Sequence, residues 1–177
     1  MYYKSLGEKA ITQIVDEKLF VQVNDESNGI ASIVKHLSGN MISRWTDFLT
    51  TDGEKEWRNR DGEFENDIKT RTDVISLWDK GWKRLFDTLN ELKPEDLEKI
   101  IYIRNEGHTV MEAINRQLAH YPYHIGQIVF AAKMLKNSDW ESLSIPRNKS
   151  KDYNAGKFSQ EKGERHFTEE FLKKGKE

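Results

Sequence analysis

Residues 67–92 read DIKTRTDVISLWDKGWKRLFDTLNEL. Its large apolar side chains recur every seven residues along two adjacent lines, namely Ile68, Ile75, Trp82 and Leu89, and Trp78, Leu85 and Leu92. This repeat indicates a helix that packs lengthwise against other helices. Because no other segment repeats as regularly, the sequence predicts a helix bundle rather than a long coiled coil.

Three more segments carry apolar residues at helical spacing, and they predict helices near residues 3–20, 28–49 and 109–136. Ser27 or Asn28 is placed to cap the second of these helices. Thr109, with Glu112 three residues later, predicts a capping box at the start of the last one. Pro122 should bend or divide that helix.

Two connections interrupt the helical pattern. The stretch 50–64 contains two Asp-Gly pairs and is longer than an ordinary loop, so it predicts a crossover whose Trp57 and Phe64 pack against the body. The β-branched run at residues 100–103, followed by a turn, predicts a small hairpin before the fourth helix. The predicted fold is therefore all-α: a four-helix bundle over residues 1–146, with a long crossover between helices 2 and 3, followed by a basic, partly ordered tail at 147–177.

Composition excludes several classes of function. The chain of 177 residues has 28 basic and 30 acidic side chains, a balance that disfavours nucleic acid as a partner. It has no cysteine, so disulfides, thiolate metal sites and cysteine nucleophiles are excluded. We find no apolar run long enough to cross a membrane and no secretory leader at the start, and we therefore expect a cytoplasmic protein without a membrane partner.

Histidines are the strongest candidates for chemistry. His120 and His124 are four residues apart, so on a helix they project from one side and can reach one metal ion. His36 on the second helix can complete a set of three if helices 2 and 4 are neighbours. Three neutral imidazoles suit a divalent metal ion, with Zn²⁺ or Ni²⁺ first and Fe²⁺ or Co²⁺ next, and they leave a coordination position open. The alternative is that the pair arises by chance and that His36 is a helix-flank residue.

Local sequences add a resemblance to a known family. VKHLSGNM at 34–41 and RWTDFL at 44–49 resemble the second helix of the DinB-like superfamily. HYPYHIGQI at 120–128 resembles the fourth-helix motif of that superfamily, and WRNRD at 57–61 and LSIPRNKS at 143–150 are similar to one uncharacterised subfamily within it.

The resemblance implies a four-helix bundle whose two central helices hold a divalent metal ion through a histidine triad, at His36, His120 and His124. Members of the superfamily include thiol S-transferases that use bacillithiol or mycothiol, and a thiol-dependent isomerase. For this chain the resemblance supports the fold and the metal better than any substrate.

Further side chains near the triad are candidates for supporting roles. Asn40, one turn from His36, is a catalytic candidate that can orient His36 or touch a substrate, and its alternative is a plain polar flank. Tyr123 is the second catalytic candidate, and Gln127 can support a ligand from behind. The 57–61 segment can cover the mouth of the site or only tie the crossover down, and Arg147 is a candidate for holding an acidic group.

Three hypotheses for function follow. The first is a metal-dependent thiol S-transferase that acts on small electrophiles; with no cysteine in the chain, the thiol must come with a small-molecule cosubstrate. The second is a metal-binding protein without turnover. The third is an interaction module, expected to be a homodimer, in which the metal is incidental. We expect His108 and His166 to be solvated and to take no part.

Overall fold

The computed structural model describes residues 1–173. It is mostly helical with one small antiparallel sheet, which agrees in outline with the all-α prediction. The elements in chain order are α1 (Tyr2–Thr12), α2 (Ile30–Trp45), α3 (Arg71–Glu91), β1 (Ile100–Ile103), β2 (Glu106–Thr109), α4 (Val110–Lys136), α5 (Ser150–Phe158) and α6 (Glu169–Lys173), with short 3₁₀ turns at Asp16–Phe20, Asp61–Phe64 and Pro94–Asp96.

The central helix is α2, which packs along α3 and also against α4, while α1 packs along α4. Trp45 of α2 and Trp78 of α3 are among the largest side chains buried in the core between these helices. Close approach of α2 and α3 depends on Gly81, since a Cβ there would lie 2.9 Å from the Cα of Ser38. The packing makes α2 and α4 neighbours, as the histidine triad requires.

Helices α1 and α2 both end earlier than the sequence pattern predicts, because tertiary contacts stabilise the backbone at their ends. Helix α1 stops at Thr12, and the guanidinium of Arg71 on α3 donates to the carbonyls of Ile11 (3.1 Å) and Ile14 (2.5 Å). Helix α2 stops at Trp45, whose carbonyl accepts from Thr88 Oγ1 at 2.7 Å. Its N-cap is Gly29, without a side-chain hydrogen bond, so the prediction of a Ser27 or Asn28 cap is wrong.

Helix α4 begins as predicted. The hydroxyl of Thr109 accepts from the backbone of Glu112, and the carboxylate of Glu112 accepts from the backbone of Thr109. Pro122 does not divide the helix, which is continuous from Val110 to Lys136. Proline removes one backbone hydrogen bond of the helix. Burial of Tyr121 before it and Ile125 after it holds the two halves of α4 against the core.

The predicted hairpin is present, with Ile100 opposite Thr109 and a two-residue turn whose Arg104 and Asn105 both have positive φ. It anchors the crossover, because the carboxylate of Asp52 accepts from the backbone N–H groups of that turn. The expectation that Trp57 packs against the body is wrong, since 61% of it is exposed.

The segment after α4 returns to the first helix. The ring of Tyr2 contacts Phe167 edge-on and Phe171 at a tilt, and Lys9 Nζ donates to the carbonyl of Phe171 at 2.6 Å. The described part of the predicted tail therefore packs along α1, from Tyr2 to Lys9. Within residues 1–173, no helix combines the length and apolar character needed to cross a bilayer.

Candidate metal centre

The three predicted histidines lie together between α2 and α4. One ring nitrogen from each of His36, His120 and His124 can be chosen so that all three lie within 4.8 Å of one another. The Nε2 atoms of His120 and His124 are 3.1 Å apart. Two nitrogens bound tetrahedrally to one zinc ion at about 2.05 Å would be about 3.3 Å apart. The pair on α4 is therefore spaced to share one ion.

A buried polar chain fixes the register between the two helices that carry the triad. Trp45 Nε1 on α2 donates to the hydroxyl of Tyr121 on α4 at 2.8 Å, and that hydroxyl donates to Asn40 Oδ1 at 3.2 Å. Tyr121 directly follows His120 in sequence, and Asn40 lies one turn along α2 from His36. These bonds hold α2 and α4 at the offset that brings the imidazoles together.

Each imidazole is also held from behind through its Nδ1 atom. His120 Nδ1 contacts Gln117 Oε1 at 3.2 Å, and His124 Nδ1 contacts Gln127 Oε1 at 2.7 Å. A carbonyl or carboxylate oxygen can only accept, so Nδ1 carries the proton. The Nε2 lone pair is then left for a metal ion, which is the usual arrangement of histidine ligands.

His36 is held by the crossover. Its Nδ1 donates to Glu63 Oε2 at 2.9 Å, and the two side chains are 6% and 7% exposed. Arg58 donates to both oxygens of the same carboxylate, at 2.8 and 2.9 Å, and it also pairs with Glu54. The Arg58 side chain is itself 3% exposed. The crossover thus inserts a bidentate ion pair behind the ligand.

Close packing leaves little freedom for this carboxylate. A Cβ added to Gly39, one turn along α2 from His36, would lie 2.1 Å from Glu63 Oε1. In the same turn as Glu63, the ring of Phe64 stacks on the imidazole of His36 with centroids 5.0 Å apart. The expectation that Phe64 packs against the body is met at this point.

Burial keeps the imidazoles of His120 and His124 neutral. Desolvation, and then the charges of His124, His36, Arg44 and Arg58, lower the pKa of His120 to about 4. Burial also lowers the pKa of His124. Burial alone would raise the pKa of Glu63, but the hydrogen bonds from His36 and Arg58 outweigh it and lower that pKa, so the carboxylate stays ionised. Neutral histidines are the form that binds metal.

The other predicted site residues, Asn40, Tyr123 and Arg147, differ in their exposure to solvent. Asn40 is buried, with its carbonyl oxygen taken by Tyr121. Tyr123 is 62% exposed and its ring lies 4.9 Å from that of His124. Arg147 is exposed beyond the end of α4.

The remaining two histidines lie outside the cluster. His166 is exposed in the tail, as expected. His108 lies in β2, half-buried, with a buried Nε2 that lacks a partner, so the expectation that it is solvated is wrong. Its position in the hairpin puts it against the body of the protein.

Sequence reasoning missed Glu63 and Gln117. Gln117 had a signal, because it precedes His120 by three residues and so lies on the same side of the helix, as Gln127 follows His124. No sequence signal pointed to Glu63, since only the fold of the crossover brings it to His36.

Comparison with family models gives a match over most of the chain. The family described as "Protein of unknown function (DUF1572)" matches residues 1–149, a range that contains the whole histidine cluster and the crossover. No curated protein and no solved structure matches the chain.

Proposed function

The chain belongs to the DUF1572 family, and we propose that it is a metal-binding protein of the DinB-like kind, in which His36, His120 and His124 hold one divalent ion. The observation that carries the proposal is the set of three imidazoles whose Nδ1 atoms are all engaged from behind and whose remaining nitrogens converge. Three neutral nitrogen ligands favour Zn²⁺ or Ni²⁺, with Fe²⁺ or Co²⁺ next.

The fold supports this assignment. Helices α1 to α4 are the long helices of the residues described, and we propose that they form a four-helix bundle with a crossover between α2 and α3. Support comes from the packing of α2 on both α3 and α4 and of α1 on α4. In this arrangement α2 and α4 are the two helices that carry the metal ligands.

The reaction that we propose is transfer of a small-molecule thiol to a small electrophile. A divalent ion with only neutral ligands would supply a full double positive charge that lowers the pKa of a thiol bound to it. The sulfur–carbon bond forms, the bond from carbon to the leaving group breaks, and the thiol proton departs with that group. The chain has no cysteine, so the sulfur belongs to the cosubstrate. Asn40 and the Tyr123 hydroxyl are the side chains that we propose orient the reactants.

Metal analysis of purified variants tests the binding proposal. Each of His36→Ala, His120→Ala and His124→Ala should reduce the bound metal to a small fraction of the wild-type content, because two imidazoles cannot complete the ligand set. His166→Ala, in the exposed tail, should retain it. Equal loss in all four variants would show that metal binding is non-specific.

A thiol-consumption assay tests the catalytic proposal separately. Wild-type protein should accelerate the reaction of bacillithiol with monochlorobimane, lose this activity with a chelator and regain it when the ion is restored. His124→Ala should be inactive while it remains folded by circular dichroism. If metal-free protein and the histidine variants react as fast as the loaded wild type, the chain binds metal without this catalysis.

A second candidate function is that of a homodimeric interaction protein. The observation in its favour is the exposure of large apolar side chains on α4, including Leu118 at 60% and Phe130 at 70%. Light scattering should then give twice the chain mass of 20.8 kDa at micromolar concentration. A constant monomer mass would remove this candidate and leave the metal proposal as it stands.

A further inference from the structure

Arg44 is a buried cation without a counter-ion. The residue is 4% exposed, and its Nε and one terminal nitrogen are buried with no hydrogen-bond partner. In residues 1–173 the other buried polar side-chain atoms without a partner belong to the neutral indoles of Trp78 and Trp82 and to the ring of His108. No salt bridge of the described residues includes Arg44.

An unpaired buried charge of this kind is costly, because the guanidinium has lost its water without gaining an acceptor. Burial accordingly lowers the pKa of Arg44. Glu54 lies near enough to act on that charge, but its carboxylate is already paired with Arg58 and Arg104. Folding therefore leaves this cation available for an anion that comes from outside the chain.

The position of Arg44 connects it to the histidine cluster. His36, Asn40 and Arg44 occupy successive turns of one face of α2, about 6 Å apart along the helix axis, and all three are buried. Asn40 uses its carbonyl oxygen for Tyr121, and its amide nitrogen makes no hydrogen bond to any described residue. One helix face thus presents an imidazole, an amide donor and a guanidinium in a row.

The facing helix carries a further basic side chain, the exposed Arg116. Arg116 precedes His120 by one turn of α4 and is close enough to Arg44 to affect its charge. Arg44 and Arg58 both act on His120 as well. Arg44 is the cation of this group that lacks a partner, because the charge of Arg58 is already balanced by Glu63 and Glu54.

We propose that Arg44 binds the oxyanion group, a carboxylate or a phosphate, of a small ligand that lies along α2 with its other end at the histidine cluster. A charge-assisted bond to the anion would satisfy the guanidinium, and the amide of Asn40 would donate to the middle of the ligand. The substrate is then an acidic small molecule. The anion site stands on Arg44 alone, and only the statement that the far end of the ligand reaches a metal rests on the proposed function.

Thermal unfolding of metal-free protein tests the anion site without any metal. Arg44→Met keeps the apolar stem and removes the charge, and it should raise the Tm by about 2–4 °C in chloride buffer, since about 1 kcal/mol shifts the Tm by that amount in a chain of this size. Inorganic phosphate at the same ionic strength should raise the Tm of the wild type and not that of Arg44→Met. Arg84→Met, an exposed arginine on α3, should respond to phosphate as the wild type does.

Ligand selectivity tests the whole inference. With Co²⁺ in the site, followed by its absorption spectrum, wild-type protein should bind 3-mercaptopropionate at least tenfold more tightly than 2-mercaptoethanol or cysteamine. Arg44→Met should bind all three thiols alike, and Arg84→Met should keep the preference.

The two experiments separate the possible failures. Failure of the wild type to take up Co²⁺ would overturn the metal proposal, and the phosphate experiment would still decide the anion site. An equal effect of phosphate on wild type and Arg44→Met, or a preference for the acidic thiol that survives in Arg44→Met, would overturn the inference about Arg44. A fall in the Tm of Arg44→Met in chloride would do the same, since it would show that the cation stabilises the empty protein.

Discussion

At the scale of single residues, Glu63 is the side chain on which the geometry of the metal centre depends most. Its carboxylate accepts from His36 Nδ1 and from two guanidinium nitrogens of Arg58, all within 3 Å. Glu63→Gln keeps the shape of the side chain but removes the negative charge that holds the His36 ring in place. We expect metal affinity to fall by about 10–100-fold, the usual effect of losing such a partner.

Competition with a zinc-binding dye would measure this loss. Glu65→Gln is the matched control, because Glu65 is two residues away, exposed, and without a side-chain contact to the cluster. Equal affinities of the two variants would mean that Glu63 does not position His36 for metal.

The lowered pKa of His120 predicts how stability depends on pH. An unfolded histidine titrates near 6.5, whereas burial and nearby positive charges lower the pKa of folded His120 to about 4. Between these values the unfolded chain binds more protons, so the free energy of unfolding rises with pH. The stabilisation is complete above pH 6.5 and is lost as the pH falls toward 4, by up to about 3 kcal/mol.

Urea unfolding of chelator-treated protein at pH 7.5 and pH 4.5 would detect this term. His120→Gln lacks the titrating group, so its stability should fall less between the two pH values than that of the wild type. Glu63 acts in the same direction but is present in both proteins, and it cancels in the comparison. Parallel pH profiles would contradict the prediction.

Site residues that are related by local helical spacing could be predicted from the sequence. Those brought to the site only by the tertiary fold could not. The His120 and His124 pair is visible because helical spacing alone puts both rings on one side. Glu63 is separated from His36 by 27 positions and a crossover, so no periodicity links them. Trp57 gave the opposite error, because a large aromatic side chain suggested burial although the crossover leaves it exposed.

At the scale of elements, the contact between α2 and the crossover depends on Gly39. A methyl group there would lie 2.1 Å from Glu63 Oε1, so Gly39→Ala must push the carboxylate away from His36 and Arg58. We expect lower stability, by about 1–3 kcal/mol, together with weaker metal binding, since an overpacked site forces its neighbours to move.

Gly126→Ala is the matched control on the other helix of the site. It lies between His124 and Gln127, and a Cβ there would meet nothing within 4 Å. Alanine should stabilise α4 by up to about 1 kcal/mol and leave metal binding unchanged. Urea unfolding would measure the stability of both variants, and dye competition would measure their metal affinity. Equal changes in Gly39→Ala and Gly126→Ala would contradict the role of Gly39.

Element boundaries show the same division between local and tertiary causes. The start of α4 is predictable because its capping box is contained in four consecutive residues, Thr109 to Glu112. The ends of α1 and α2 are not, since they are satisfied by Arg71 and Thr88 from another helix. Apolar periodicity continues past both ends, and only the packing determines where the backbone turns away.

At the scale of the whole molecule, a metal ion would link two parts of the chain that are distant in sequence. His36 lies on α2, and His120 and His124 lie on α4, with the crossover, α3 and the hairpin between them. The unfolded chain cannot hold the three rings together, so it binds the ion weakly. Binding energy then appears as folding stability, by about 4 kcal/mol when free metal is 1,000 times the dissociation constant.

For a chain of this length, that gain corresponds to a rise in Tm of about 8–16 °C. Calorimetry of the full chain with a chelator and with added Zn²⁺ would measure it. His124→Ala removes one ligand and should lose nearly all of the rise, while His166→Ala should keep it, because that imidazole is exposed in the tail and contacts Thr168 rather than the cluster. Since α2 also supports α3 and α4 supports α1, stabilisation at this one site should raise a single cooperative transition. An equal metal-induced rise in Tm in both variants would contradict the view that this ion stabilises the whole fold. A second transition that the metal does not shift would contradict it as well.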